Sequence, residues 1–281
     1  MNRLQSIFLA LLAAAPFACA RFAPAQQSAY EQFRGHNAAM TAVQPSWMGP
    51  LIQPDSRLGQ SMRISFSNSY TSTGAQTVNY GNCHGLGVVA GDRVQVNFIA
   101  PPYIQNNSAT AKDGFGDTMT EVKYRIASGN AAHGNYALTA MLAETLPTGS
   151  YVNGAPTAVY YPILAAGKMW GRFDVQSTLG GMLPTGKIAA QGRQIDWNTT
   201  AQVAIGRSLW VDVEDNAIYN FAGPFDAKTG NFITPAAFYV IRRKAWRPAH
   251  AVFVLGGGMQ IATSQFHTYN HNLIPEARIL F

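Results

Sequence analysis

Cysteine, charge and long apolar runs are all scarce in this 281-residue chain. Only Cys19 and Cys83 carry thiols, and Cys19 falls in a segment that reads as removed on export, so no internal disulfide is expected. After the first twenty residues no run of about 18 apolar residues occurs, which excludes a transmembrane helix. Charged residues make up 12% of the chain against 47% hydrophobic ones. The histidines His84, His133, His250, His267 and His271 lack both a serine in a recognisable nucleophile motif and a metal-ligand spacing, so no catalytic residue, metal or cofactor is assigned.

Residues 1–20 read as a secretory signal peptide: Arg3, an apolar run from Ile7 to Ala15, then Ala18-Cys19-Ala20 before Arg21. A lipoprotein signal at Cys19 is the alternative, but Pro16 and Phe17 stand where such a signal prefers Leu and a small residue. Residues 21–61 show little alternation and read as a periplasmic leader or a plug, disorder being the blander reading.

What the chain does have is a strand pattern that occurs twice. YALTAMLAETLPTG ends at Gly149 and FDVQSTLGGMLPTG at Gly186. Each is an alternating run closed by a Pro that cannot donate to a ladder and a Gly. In the second copy Arg172, Asp174, Gln176 and Thr178 share one face, opposite Phe173, Val175 and Leu179. Similar alternation recurs at Arg63–Tyr70, Arg93–Phe98, Glu121–Ile126, Gln194–Val203, Leu209–Asn216 and Asn272–Phe281. A soluble β-sandwich alternates too, so location decides. An exported, uncrosslinked, strand-rich chain fits an all-β transmembrane antiparallel up-and-down barrel over residues 62–281, because only helices and closed barrels satisfy every backbone group in lipid.

Turn lengths set the expected topology. With Phe281 in the periplasm, the turns at 90–92, 129–134 and 206–207 are periplasmic, and the loops at 101–116, 183–193 and 219–230 lie outside. The count is then about twelve strands, provided that 157–167 is a strand despite Pro162; without it and the weaker, Gly-rich strand at Val78–Val88, ten remain as the alternative. The terminal Phe281 on an amphipathic last strand resembles the signal that barrel-assembly machinery reads, so that machinery and outer-membrane lipid are the expected partners, with a small-molecule solute and no nucleic acid.

In this reading Arg93, Glu121, Lys123, Arg125, Arg172, Asp174, Asp196, Asp212, Glu214, Glu276 and Arg278 line the lumen, either selecting solutes or pairing across strands to fill a narrow barrel. Tyr136, Tyr151, Trp170, Trp197, Trp246 and Tyr269 are candidates for interfacial girdles, or in part for contacts with an apolar solute inside the barrel. Arg242, Arg243, Lys244 and Arg247 form a basic turn facing the periplasm.

Taken together, the two LPTG strands, GRFDVQSTLGG, WVDVEDN, NFITP and MQIATSQFHTYNHN resemble the outer-membrane barrels of the meta-pathway phenol-degradation family. That family neighbours the hydrophobic-solute transporters typified by long-chain fatty-acid channels. The resemblance runs from about Asp117 to Phe281 and implies passive uptake of small apolar or aromatic compounds. An outer-membrane lipid or ester hydrolase working at the rim through His267 or His271, and a plugged structural barrel, are the alternatives.

Overall fold

The computed structural model describes residues 24–81, 85–241 and 251–281. The signal-peptide segment, Cys83, His84, Trp246, His250 and the basic turn at 242–247 lie outside the described residues. The chain divides into two units, residues 1–38 and residues 39–281. In the first, the described residues begin helix α1, which runs Pro24–Ala42 and so ends in the second. None of the described helices is long and apolar enough to cross a membrane.

The second unit is a closed antiparallel barrel of twelve staves. Four staves are each interrupted once and so comprise two strands apiece: β1 (Ser61–Ser65) with β2 (Ser67–Tyr70), β3 (Gln76–Asn79) with β4 (Gly85–Gly91), β5 (Val94–Ile99) with β6 (Tyr103–Asn107), and β7 (Gly114–Phe115) with β8 (Thr118–Gly129). Eight continuous staves follow: β9 (Tyr136–Leu146), β10 (Val159–Trp170), β11 (Phe173–Pro184), β12 (Arg193–Ile205), β13 (Leu209–Ala222), β14 (Thr229–Ile241), β15 (Val252–Ala262) and β16 (His271–Leu280). Pairing of β1 with β16, Arg63 opposite Arg278, closes the cylinder and removes the free edges that a lipid surround would not tolerate.

The expected strand at 157–167 is present as β10, Val159–Trp170, and its proline explains how. Pro162 sits opposite Leu142 on the β9 side, while on the β11 side the ladder skips from Tyr160 to Ile163, so the missing donor falls in one gap. Pro275 does the same in β16: its carbonyl accepts from Phe66 where β1 gives way to β2. The two LPTG strands end on the same rim, each the first strand of a hairpin. The rim that carries Phe281 has tight connections at 92–93, 171–172 and 206–208, and the opposite rim has longer ones at 147–158, 185–192 and 263–270. The connections on that opposite rim are shorter than their composition suggests: β13 and β14 continue into the expected 219–230 loop and leave only 223–228.

Burial is inverted relative to a water-soluble domain. Leu142, Leu164, Leu179, Val213 and Leu255 are exposed, whereas Lys123, Asp174, Gln176, Gln202, Asp212 and Glu214 are buried. Because side chains alternate across each stave, every outward Leu or Val forces its neighbour inward, and this distribution suits hydrocarbon outside and a polar interior.

Candidate functional site

Residues 43–60, between α1 and β1, run through the inside of the barrel, and the inward polar side chains are spent on holding them there. The segment has almost no regular structure of its own, so its backbone groups need partners from the wall. Glu214 supplies the densest set. Its carboxylate accepts from three consecutive backbone N–H groups, those of Leu51, Ile52 and Gln53, the last two at 3.1 Å. Carbonyls are met by cations and amides: Lys123 Nζ donates to Asp55 O and to Arg57 O (2.8 Å), and Arg278 donates to Gly49 O and Pro50 O (2.7 Å). Gln176 donates to Met48 O at 3.1 Å, Thr139 to Ser56 O, and Arg63 to Leu51 O. Gly59 N donates to Gln95, and Gln53 Nε2 to Thr200 at 2.7 Å.

Within the segment Asp55 pairs with Arg57 at 2.7 Å and accepts from the Trp47 indole. Burial alone would raise the Asp55 carboxyl, but the charge and hydrogen bonds of Arg57, helped by Lys123, outweigh it and hold the group well below the usual carboxylate range. Gln44 and Leu58 bond to each other in both directions and close the loop on itself. Trp47, Met48 and Leu51 pack with Met169, Trp210, Phe238, Val254 and Ile274 into an apolar core enclosed by the barrel. Gly167 permits this: a Cβ there would lie 2.6 Å from the Trp47 ring.

The lumen candidates divide by position. Lys123, Asp174, Asp212 and Glu214 are deeply buried inside, as are Glu121, Arg125, Glu276 and Arg278, while Asp196 is half-buried and accepts from Gln194 at 3.0 Å. Glu276 accepts from both Arg63 and Arg278, so the charges there are paired. Arg125 reaches Met40 O and Asp92 O near the rim that carries Phe281. Arg172 is a correction: it occupies the tight turn at 171–172 and is exposed, because the alternation stops where β11 begins at Phe173. Arg93 likewise sits in the turn before β5 and is exposed; with Arg125, Val43 and Tyr136 it borders a rim cleft of about 350 Å³. A second cleft, of about 110 Å³, lies on the other side of the segment between Pro54, Tyr161, Thr178, Asp196 and Asn198.

Of the girdle candidates, Trp170, Trp197, Tyr151 and Tyr136 are exposed, Trp170 stacking on Phe173. Tyr269 takes the inward alternative: it stacks on the buried Phe232 at 4.7 Å and donates to Gln260, so it turns inward over the lumen. The His267 ring nitrogens meet Ser264 O and Asn270 Oδ1, and Ser264 Oγ donates to Phe266 O, so that serine is not set up as a nucleophile beside the histidine. His271 stacks on Tyr70. Among the described residues no group of three or more His, Cys, Asp or Glu side chains converges to hold a metal.

Sequence reasoning missed Trp47, Gln53, Asp55 and Arg57. They stand among Pro45, Pro50 and Pro54 with no period, and the only local signal was a Trp and an Asp/Arg pair in an otherwise loop-like stretch.

Solved structures share this architecture, two of them with more than half of the fold superposing. An outer membrane channel from Pseudomonas putida F1 superposes with a TM-score of 0.57 at 14% identity, covering 85% of this chain and 100% of that one. The NanC porin superposes with a TM-score of 0.51 at 7% identity, covering 79% of this chain and 98% of that one. The likeness is one of fold. No family model matches the chain, and no curated protein matches it.

Proposed function

We propose that the chain is an outer-membrane channel for small solutes, held closed at rest by residues 43–60. The observation that carries this reading is a lumen segment fixed by hydrogen bonds from the wall, beside the apolar packing of Trp47, Met48 and Leu51: it is seated on side chains that a permeating solute could otherwise meet. The outward apolar band suits a membrane, and the fold shared with a channel and a porin supports the same reading. In this orientation the tight turns and Phe281 face the periplasm, and the barrel-assembly machinery reads the last strand. The solute is small and apolar or aromatic in class, as the resemblance in the LPTG and WVDVEDN strands implies, and the cleft beside Pro54, Tyr161 and Asp196 is where it first meets the closed segment.

The test is conductance of the refolded chain in planar bilayers, with flux of an aromatic acid such as benzoate into liposomes, before and after deletion of residues 47–56. The intact chain is expected to conduct rarely, and the shortened one to give stable steps and faster flux. A shortened barrel that folds, judged by its heat-dependent gel mobility, yet neither conducts nor passes solute would leave the plugged structural barrel as the correct reading.

A further inference from the structure

The cleft at the rim that carries Phe281 holds two arginines as cross-strand neighbours. The N–H of Arg125 donates to Arg93 O at 2.8 Å, one step beyond the Val94–Tyr124 pair of β5 and β8. Both residues border the same space of about 350 Å³, and the charge of Arg93 reaches Arg125. Like charges at opposed positions destabilise a sheet, and Asp92 in the adjoining turn offsets only part of this repulsion.

The two side chains are spent differently. Arg125 is buried and committed, with Nη1 on Met40 O at 3.1 Å and Nη2 on Asp92 O at 2.6 Å. Arg93 is exposed; its Nη1 reaches Ile126 O at 3.5 Å, and it has no ion pair among the described residues. The wall beside them is apolar and turns toward the membrane. A bulge in β8 between Arg125 and Ala127 leaves Ile126 without an opposite residue on β9. Ile126 and Tyr136 line the cleft yet are exposed on the outward face, and Val43 completes the apolar side. From Ile126 the outward positions continue as Tyr124, Val122 and, opposite Val122, Leu142, all exposed. One cleft therefore joins an uncommitted guanidinium to the outward apolar band.

We propose that this cleft binds an anionic phospholipid from the leaflet that meets this rim, its phosphodiester on Arg93 and an acyl chain along Ile126, Tyr124 and Val122. The planar fork of an arginine matches two phosphate oxygens, and the fixed charge of Arg125 beside it adds to the attraction. Tyr136 at the edge of the apolar band suits the depth of a headgroup. Free phosphate would answer the charge but leave Val43, Ile126 and Tyr136 without a partner, which favours a lipid. The proposal rests on the membrane-spanning reading and not on conduction, so a chain that never conducts can still carry the site.

The full chain, refolded in a nonionic detergent free of lipopolysaccharide, is titrated with dimyristoyl phosphatidylglycerol, with the matching phosphatidylcholine and with inorganic phosphate, and adducts are counted by native mass spectrometry. One phosphatidylglycerol is expected to bind saturably and in preference to phosphatidylcholine. A cation at an anionic lipid surface is worth about a fivefold change in binding, so Arg93→Gln should weaken the phosphatidylglycerol adduct by about that factor. Arg172→Gln removes the same charge from another turn of this rim, outside the cleft, and should leave binding unchanged. Equal binding of the two lipids, equal loss in both variants, or displacement of the lipid by inorganic phosphate at comparable concentration overturns the proposal. Should Arg93→Gln fail to fold, the wild-type chain decides: absence of a saturable phosphatidylglycerol adduct refutes the site.

Discussion

Replacing Glu214 with Gln changes one charge and one acceptor while keeping the shape of the side chain. In the native chain the carboxylate takes the N–H groups of Leu51, Ile52 and Gln53. Hydrogen bonds to a charged group are worth about 1.5–3 kcal/mol each. The amide retains one oxygen for Leu51 and Ile52, but it presents an NH₂ to the N–H of Gln53 and loses the charge from the rest. A loss of about 3 kcal/mol follows, which shifts the balance between seated and released segment by roughly a hundredfold. The other anchors, Lys123, Arg278, Gln176 and Thr139, contribute equally in both proteins and cancel from the ratio. Single-channel recording reads that ratio as open probability, and acrylamide quenching of the buried Trp47 reads it independently. Glu214→Gln is expected to open far more often and to quench faster, with barrel integrity unchanged on gels. A variant with wild-type open probability and quenching would refute the idea that this carboxylate holds the segment.

Three further outcomes follow from the lumen contacts. Glu276→Gln leaves Arg63 and Arg278 without their shared carboxylate and should cost the barrel about 3–5 kcal/mol in a urea unfolding series, because β1 and β16 close the cylinder there. Gly167→Ala places a methyl group 2.6 Å from the Trp47 ring and should cost about 1–3 kcal/mol with red-shifted tryptophan emission; unchanged emission would contradict the close approach. Asp55 has its carboxyl lowered, so its contribution is fully present above the unfolded value near 3.8 and is lost as pH falls through that value toward the lower folded one. Acidification from pH 5 to 2.5 should therefore loosen the segment in the quenching assay. Asp55→Asn should be looser at neutral pH and lose that part of the acid response.

The barrel was legible in the sequence because a stave in a lipid surround has only two environments. Alternation at Phe173–Leu179, Gln194–Val203 and Leu209–Asn216 states which face is which, and the LPTG ends mark where strands stop. Pro162 obscured one stave, since a proline argues against a ladder until its missing donor is seen to fall in a gap of the pairing. Arg172 shows the limit of the pattern from the other side: a period of two extrapolates one residue too far when a tight turn intervenes.

The sequence by itself determined the strand class, the inward polarity and the approximate stave count, all of which depend on neighbours in the chain. Only the tertiary structure decided what the inward charges are for. Lys123 meets Arg57 across 66 positions, and Glu214 meets Leu51 across 163. Partners so far apart leave no local period, and an aperiodic segment such as 43–60 acquires its conformation from the wall around it.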